Sequence, residues 1–232
     1  MIIKWFPRSW IQIKSYESVI YIDPSYMSTY FKKYEKKIVF SDEEDDALPE
    51  NLEKGDIILI SHIHKDHCKK ITIHRLSDEK TIVLTPRKYE DKESDKIKII
   101  TSECEFHFKN ISVEIVNAYN TKEGHSSRKV HKRGECVGFI INIENKRIYF
   151  SGDTDFIPEM NDIRNIDIAI VPIGGTFTMD ISEAIDAVSV IKPKYVIPVH
   201  HLKADPIEFK MKIDEKTDTK AILLDIGKEY EI

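Results

Sequence analysis

The sequence predicts an α/β fold built on mixed β-sheet, with helices lying outside it. Three observations carry this. Eleven short apolar segments rich in Val, Ile, Phe and Tyr recur along the chain. One longer segment repeats its apolar residues at helical instead of alternating spacing. Strand-like segments crowd the first two-thirds of the chain with helix-like ones interspersed, the order expected of a mixed sheet covered by helices.

The elements follow in order. Strands are expected at 10–14, 18–22, 56–61, 81–84, 97–101, 111–116, 137–143 and 147–151, and later at 168–171, 195–199 and 221–225. The clearest helix is 181–191, where Ile181, Ala184, Ile185, Val188 and Ile191 share one face. Met179 or Asp180 stands at its start and Pro193 beyond its end, as helix start and stop signals require. A shorter helix is expected after Asp66, with Ile71, Ile73 and Leu76 as its apolar side, and a third from Pro206 towards Lys212. Residues 1–232 read as one domain carrying a charged surface insertion at about 25–55. The insertion opens with aromatic and basic residues (Tyr26, Tyr30, Phe31, Lys32, Lys33, Tyr34) and continues into an acidic run at 42–46. It reads as a solvated loop or as a rim over a binding site.

Composition narrows the function classes. The chain has 232 residues, 41% of them hydrophobic, enough for a sizeable core. A net charge of -5 makes nucleic acid an unfavoured partner. No apolar run approaches the roughly 20 residues that span a bilayer. Pro7, Arg8 and Gln12 interrupt the apolar stretch that a signal peptide needs near the N-terminus, so a cytoplasmic protein without a membrane partner is expected. Cys68, Cys104 and Cys136 are odd in number and lack C-x-x-C spacing, which fits reduced thiols. The exposed aromatics near Tyr34 leave a homo-oligomer open.

The chemistry concentrates at Ser61-His62-Ile63-His64-Lys65-Asp66-His67, directly after the apolar run Asp56-Ile57-Ile58-Leu59-Ile60. His62 and His64 are two residues apart, so an extended backbone turns both imidazoles the same way. Asp66 and His67 come where the chain turns towards a helix and can face a second position. Imidazole nitrogen and carboxylate oxygen are the donors zinc takes at hydrolytic sites.

An H-x-H-x-D-H motif after an apolar strand resembles the metallo-β-lactamase superfamily of metal-dependent hydrolases. The resemblance implies a four-layer αββα sandwich of two mixed β-sheets with helices outside, and it implies further ligands downstream. Arg147-Ile148-Tyr149-Phe150-Ser151-Gly152-Asp153-Thr154 looks like the family's strand and G-D-T, with Asp153 bridging two metals and Gly152 allowing a sharp turn. Asp155 is the less expected ligand. Tyr195-Val196-Ile197-Pro198-Val199-His200 looks like the strand that delivers the last histidine. Adjacent residues of a strand point oppositely, so one of His200 and His201 reaches the metals, and the family register favours His200. His131, in His131-Lys132-Arg133-Gly134-Glu135-Cys136-Val137-Gly138-Phe139, resembles the histidine before a V-G-Y/F strand, with His125 as the alternative. Tyr21-Ile22-Asp23-Pro24 resembles the family's early I-D-P, whose Asp orients a ligating histidine. The branch suggested by 167–184 is that of the ascorbate-6-phosphate lactonase-like proteins, and its Gly174-Gly175-Thr176 loop could offer N–H groups to an anion. Cys68, His74 and His107 read as ordinary structural or surface residues.

The implied centre holds two divalent metal ions, Zn2+ ahead of Mn2+ or Fe2+. One ion takes His62, His64 and His131, the other Asp66, His67 and His200, and Asp153 lies between them. Asp66 doubles as the catalytic proton shuttle. His64 stands where redox members of the family commonly carry Glu, and imidazole favours zinc and hydrolysis. The expected reaction is hydrolysis of an ester, lactone, thioester or phosphodiester bond in a small molecule. The alternatives are a nuclease or cyclic phosphodiesterase, and a non-catalytic metal-binding protein that keeps the fold.

Overall fold

A computed structural model describes residues 1–26, 52–89 and 95–232. Residues 27–51, the greater part of the expected insertion, lie outside the described residues. The chain forms two compact units, one of residues 1–100 with 224–232 and the other of residues 101–223.

The first unit begins with β1 (Ile2–Trp5), β2 (Ile11–Lys14) and β3 (Val19–Ile22), followed by β4 (Ile57–Leu59), β5 (Ile82–Thr85) and β6 (Ile97–Ile99). The second holds β7 (Glu105–Phe108), β8 (Ile111–Ala118), β9 (Cys136–Ile143), β10 (Lys146–Phe150), β11 (Ile168–Pro172), β12 (Tyr195–Val199) and β13 (Lys220–Ala221). The chain then returns to the first unit for β14 (Tyr230–Glu231).

Each unit is organised by one seven-stranded mixed sheet. In the first, the order is β14-β1-β2-β3-β4-β5-β6. Its β14, β1, β2 and β3 pair antiparallel, and β3 through β6 pair parallel. Ile57, Ile58 and Leu59 of β4 are all fully buried, the unbroken apolar run typical of a central parallel strand. Helix α1 (Lys70–Leu76) buries Thr72, Ile73 and Leu76. Ile73 and Leu76 join Phe6, Trp10, Tyr21 and Ile58 in one apolar cluster.

The second sheet has the order β13-β12-β11-β10-β9-β8-β7. Strands β7 to β10 form an antiparallel meander, and β10 to β13 pair parallel. The β9–β10 hairpin closes through Glu144 and Asn145, both left-handed (φ 48° and 59°), the conformation of a two-residue turn that matches strand twist. Helix α2 (Ile181–Ile191) starts where the Asp180 carboxylate accepts from the Glu183 N–H at 2.8 Å, and it ends at left-handed Lys192 before Pro193. Helix α3 (Pro206–Lys216) is capped by Asp205 and runs one turn beyond the expected end at Lys212. No helix among the described residues is long and apolar enough to cross a membrane.

Three strands escape the sequence pattern. β1 is four residues cut short near Pro7, and β14 is a two-residue edge. β7 alternates exposed and half-buried residues, with Glu105 and His107 outward, so it lacks an apolar signature. Conversely, the strand expected at 221–225 is only Lys220–Ala221.

Candidate metal centre

In the first unit the parallel half of the sheet fixes the site. Strands β3 and β4 are neighbours in register, Ile22 beside Leu59, and the Asp23 N–H donates to the Leu59 carbonyl at 2.9 Å. Asp23 and the His62 segment therefore emerge together at the carboxyl ends of parallel strands, where α/β sheets present ligands. Asp23 is fully buried and left-handed (φ 49°). Its Oδ1 accepts from the Ser61 N–H at 2.7 Å, and its Oδ2 accepts from the Ser61 hydroxyl at 2.6 Å and from His67 Nδ1 at 2.8 Å. The Ser61 hydroxyl, its proton committed to Asp23, accepts from His62 Nδ1 at 3.0 Å. One carboxylate thus orients two imidazoles, His67 directly and His62 through a serine. Burial pushes the Asp23 carboxyl up, and His67 and Ser61 pull against that.

The chain then turns, His67 and Cys68 N–H groups both donating to the His64 carbonyl. The turn brings the His62 and His67 rings to 4.1 Å between centroids, and His62 and His64 to 4.7 Å. Candidate donor atoms of Asp23, His62 and His67 lie within 4.8 Å of one another. Asp23 already accepts three hydrogen bonds, so its role here is to hold the rings. Asp66 is partly exposed, its Oδ2 4.0 Å from His67 Nε2 and 3.7 Å from Arg8 Nε. Cys68 is buried.

In the second unit, Asp153 follows β10 through Gly152. That glycine is left-handed (φ 68°), and a Cβ there would lie 2.5 Å from the Val137 carbonyl oxygen, so the turn admits glycine alone. His200 leaves β12, two strands away in the parallel half, with φ 49°. Its Nε2 lies 3.5 Å from Asp153 Oδ2, and His131 Nε2 lies 3.7 Å from the same oxygen. All three residues are at least 96% buried.

His131 is placed by its loop. The Asn120 side-chain oxygen accepts from the Val130 and His131 N–H groups at 3.0 and 2.9 Å, while the Asn120 amide donates to the Phe177 carbonyl at 2.9 Å. His131 Nδ1 donates to that same carbonyl at 3.2 Å. Below the loop sits fully buried Asp155, which accepts from Thr121 N–H and Lys129 Nζ, both at 2.9 Å. Gly124 packs against it so closely that a Cβ would come 2.2 Å from its Oδ2.

The structure does not bring the other two histidines to these donors. His125 is 48% exposed and its Nδ1 lies 3.0 Å from both Asp180 oxygens, a bond that raises its pKa. His201 turns to the Pro198 carbonyl at 2.8 Å, and burial holds its pKa down. The Gly175 N–H donates to the Met179 carbonyl at 3.0 Å, so it is spent within the loop and does not await an anion. Ser61, Asn120, Asp155 and Arg8 are the contributors that the sequence reading missed as partners of the donors.

The donor chemistry suits a borderline divalent cation. His67, His62 and His131 each commit Nδ1 to an oxygen: a carboxylate, a hydroxyl whose proton is engaged, and a backbone carbonyl. Those oxygens can only accept, so the neutral rings carry their lone pairs on Nε2. This is the arrangement in which histidine ligates a metal, with its other nitrogen held from behind.

A family model described as the β-lactamase superfamily domain matches residues 2–200. The chain is 33% identical over 208 residues to a metal-dependent hydrolase of Nanoarchaeum equitans, covering 81% of this chain and 90% of that one. Among solved structures, a candidate metal-dependent hydrolase of Parabacteroides distasonis superposes with a TM-score of 0.78 at 26% identity, covering 97% and 93% of the two chains. The metallo-β-lactamase fold protein YhfI of Bacillus subtilis gives 0.69 at 10% identity, covering 100% and 98%.

Proposed function

The chain belongs to the metallo-β-lactamase superfamily and has its fold, and on that premise we propose that its donors hold two divalent ions, Zn2+ ahead of Mn2+ or Fe2+, for hydrolysis of a small molecule. The relatives that match it at 30% identity or more over most of their length are described as metal-dependent hydrolases. The bond is an ester, lactone, thioester or phosphodiester.

The single observation that carries this reading is the backing of His62, His67 and His131 through Nδ1. Surface histidines have no reason to share one tautomer. The separations of 3.5 and 3.7 Å from Asp153 Oδ2 support it further. Two ligands about 2.1 Å from one tetrahedral ion stand roughly 3.4 Å apart. Because both histidines face the same oxygen, Asp153 suits a bridge between an ion taken by His131 and one taken by His200. His62 and His64 would complete the first set, Asp66 and His67 the second.

Bound there, such ions supply Lewis acidity and lower the pKa of a water towards roughly 7. The chain's own residues do the remainder. Asp66, partly exposed and beside Arg8, can take a proton from the attacking water on its outer oxygen and pass it to the leaving group. Asp23 fixes two imidazoles so that no ring must reorganise during turnover.

The test is metal quantification on the purified full chain after dialysis against Zn2+. Two equivalents are expected for wild type and for His125→Ala, and a loss of at least one for His131→Ala. Full retention by His131→Ala would overturn the assignment. Hydrolysis of lactone, thioester and phosphodiester panels then identifies the bond, and two bound metals without turnover on any panel would favour a non-catalytic binder.

A further inference from the structure

The second unit contains a cavity of about 410 Å3 whose lining includes none of the candidate metal donors. Its walls divide by character. Ile115, Val116, Ile157, Met160 and Ile163 make an apolar floor. Glu103, Glu105, Glu114, Glu159 and Asp162 stand around it, and no Lys or Arg lines it.

Neighbouring cations answer only part of this charge. Arg147 engages Glu114 through both terminal nitrogens at 2.6 and 3.0 Å, and Arg133 engages Glu159 at 2.9 Å. Glu105 has only His107 at 3.4 Å, and the Glu103 and Asp162 carboxylates make no ion pair among the described residues. The cavity therefore keeps a negative excess over an apolar base. An aqueous surface groove shows no preference for that pairing of features, but an amphiphilic cation does.

A second observation is independent of the carboxylates. Tyr149, on β10, also lines the cavity. It is fully buried, and its hydroxyl has no hydrogen-bond partner among the described residues. A buried hydroxyl left without a partner costs about 1–3 kcal/mol, so such groups ordinarily meet a ligand or an ordered water. Burial pushes the phenol up, and nearby Glu159 adds to this, so it stays protonated. It is thus a neutral group able to accept from an ammonium and donate to a carboxylate.

We propose that this cavity is a binding site for an amphiphilic organic cation, an ammonium group on an apolar body, with the ammonium at Glu103 and Asp162 and the body over Ile157 and Met160. The distribution of charge sets the order of preference. A matched carboxylic acid is repelled, and a bare inorganic cation gains nothing from the floor. The size fits a ligand of one aromatic ring with a short tail, near the lower end of ordinary small-molecule pockets.

The experiment uses the full chain with phenethylammonium as probe, phenylpropionate as the matched anion and sodium chloride as the ionic control, read by calorimetry. Saturable one-to-one binding of phenethylammonium alone is expected. The Glu103→Gln/Asp162→Asn double variant should weaken it by about fivefold or more, the scale of losing partly exposed charge pairs. Tyr149→Phe should weaken it by about threefold while leaving Tm unchanged or raised, since it removes a buried polar atom. Glu208→Gln, on exposed α3, should bind like wild type. Equal binding of phenylpropionate, wild-type affinity in the double variant, or no saturation at low-millimolar probe would each overturn the proposal. Because no metal donor is altered, these outcomes are independent of the metal assignment.

Discussion

Asp23 Oδ2 lies 2.8 Å from His67 Nδ1 and 2.6 Å from the Ser61 hydroxyl, which in turn holds His62. Two imidazoles separated by five positions in sequence are therefore oriented from one buried oxygen. Replacing Asp23 with Ala should lower metal affinity about 10–100-fold, the usual cost of losing the group behind a ligating histidine. Competition against a chromophoric chelator measures this. Thermal stability should fall as well, since the Ser61 N–H and His67 Nδ1 lose their acceptor at about 1–3 kcal/mol each. Unchanged affinity would mean the rings are fixed by packing alone.

Ser61→Ala removes the link to His62 and the hydroxyl bond to Asp23, and leaves the Asp23–His67 bond in place. Its effect on metal affinity should be smaller than that of Asp23→Ala. The two should also be strongly non-additive, because both act on one network. A double-mutant cycle on chelator-competition affinities reads the coupling, and simple additivity would separate the two residues.

Asp155 anchors the loop that carries His131, through Thr121 and Lys129. Asp155→Ala should cost about 2 kcal/mol in urea unfolding, from the abandoned donors and the hole beneath Gly124. The substitution leaves every donor atom in place, so any accompanying loss of one metal equivalent would report displacement of His131. Retention of both metals with lowered stability would confine Asp155 to folding.

His125 and Asp180 form a pair of a different kind, exposed and titrating in an accessible range. The Asp180 hydrogen bond raises the His125 pKa above its ordinary value of about 6.5. A raised histidine pKa contributes stability that is complete below the unfolded value and is lost as pH rises through the folded value. Asp180→Asn should return His125 towards about 6.5 in an NMR titration. It should leave the start of α2 in place, because the Asn side-chain oxygen still accepts from the Glu183 N–H.

The candidate donors could be named from sequence because strand periodicity and short spacing are local. His62, His64, Asp66, His67, Asp153 and His200 all sit at the ends of apolar runs that the pattern identifies. His131 and His125 were not separable locally, since both lie on one polar loop. What distinguishes their surroundings is Asn120, eleven positions before His131, and Phe177, forty-six positions after it. Ser61, Asp155 and Arg8 were missed for the same reason: each acts through a partner distant in sequence or through burial that composition does not reveal. Strands β1, β7 and β14 were lost because each is only two to four residues long, too short for its pattern to stand out.

The left-handed exit of His200 from β12 makes the second unit sensitive to a kind of change that substitution studies do not sample. Side chains of a strand alternate strictly, so deleting or inserting one residue within 195–199 would exchange the directions of His200 and His201. The altered chain would still end that strand in a histidine and would look intact to a composition search. Its imidazole beside Asp153 would be gone. Exchanging Val for Ile within 195–199 would keep that alternation, whereas a change of one residue in its length would not.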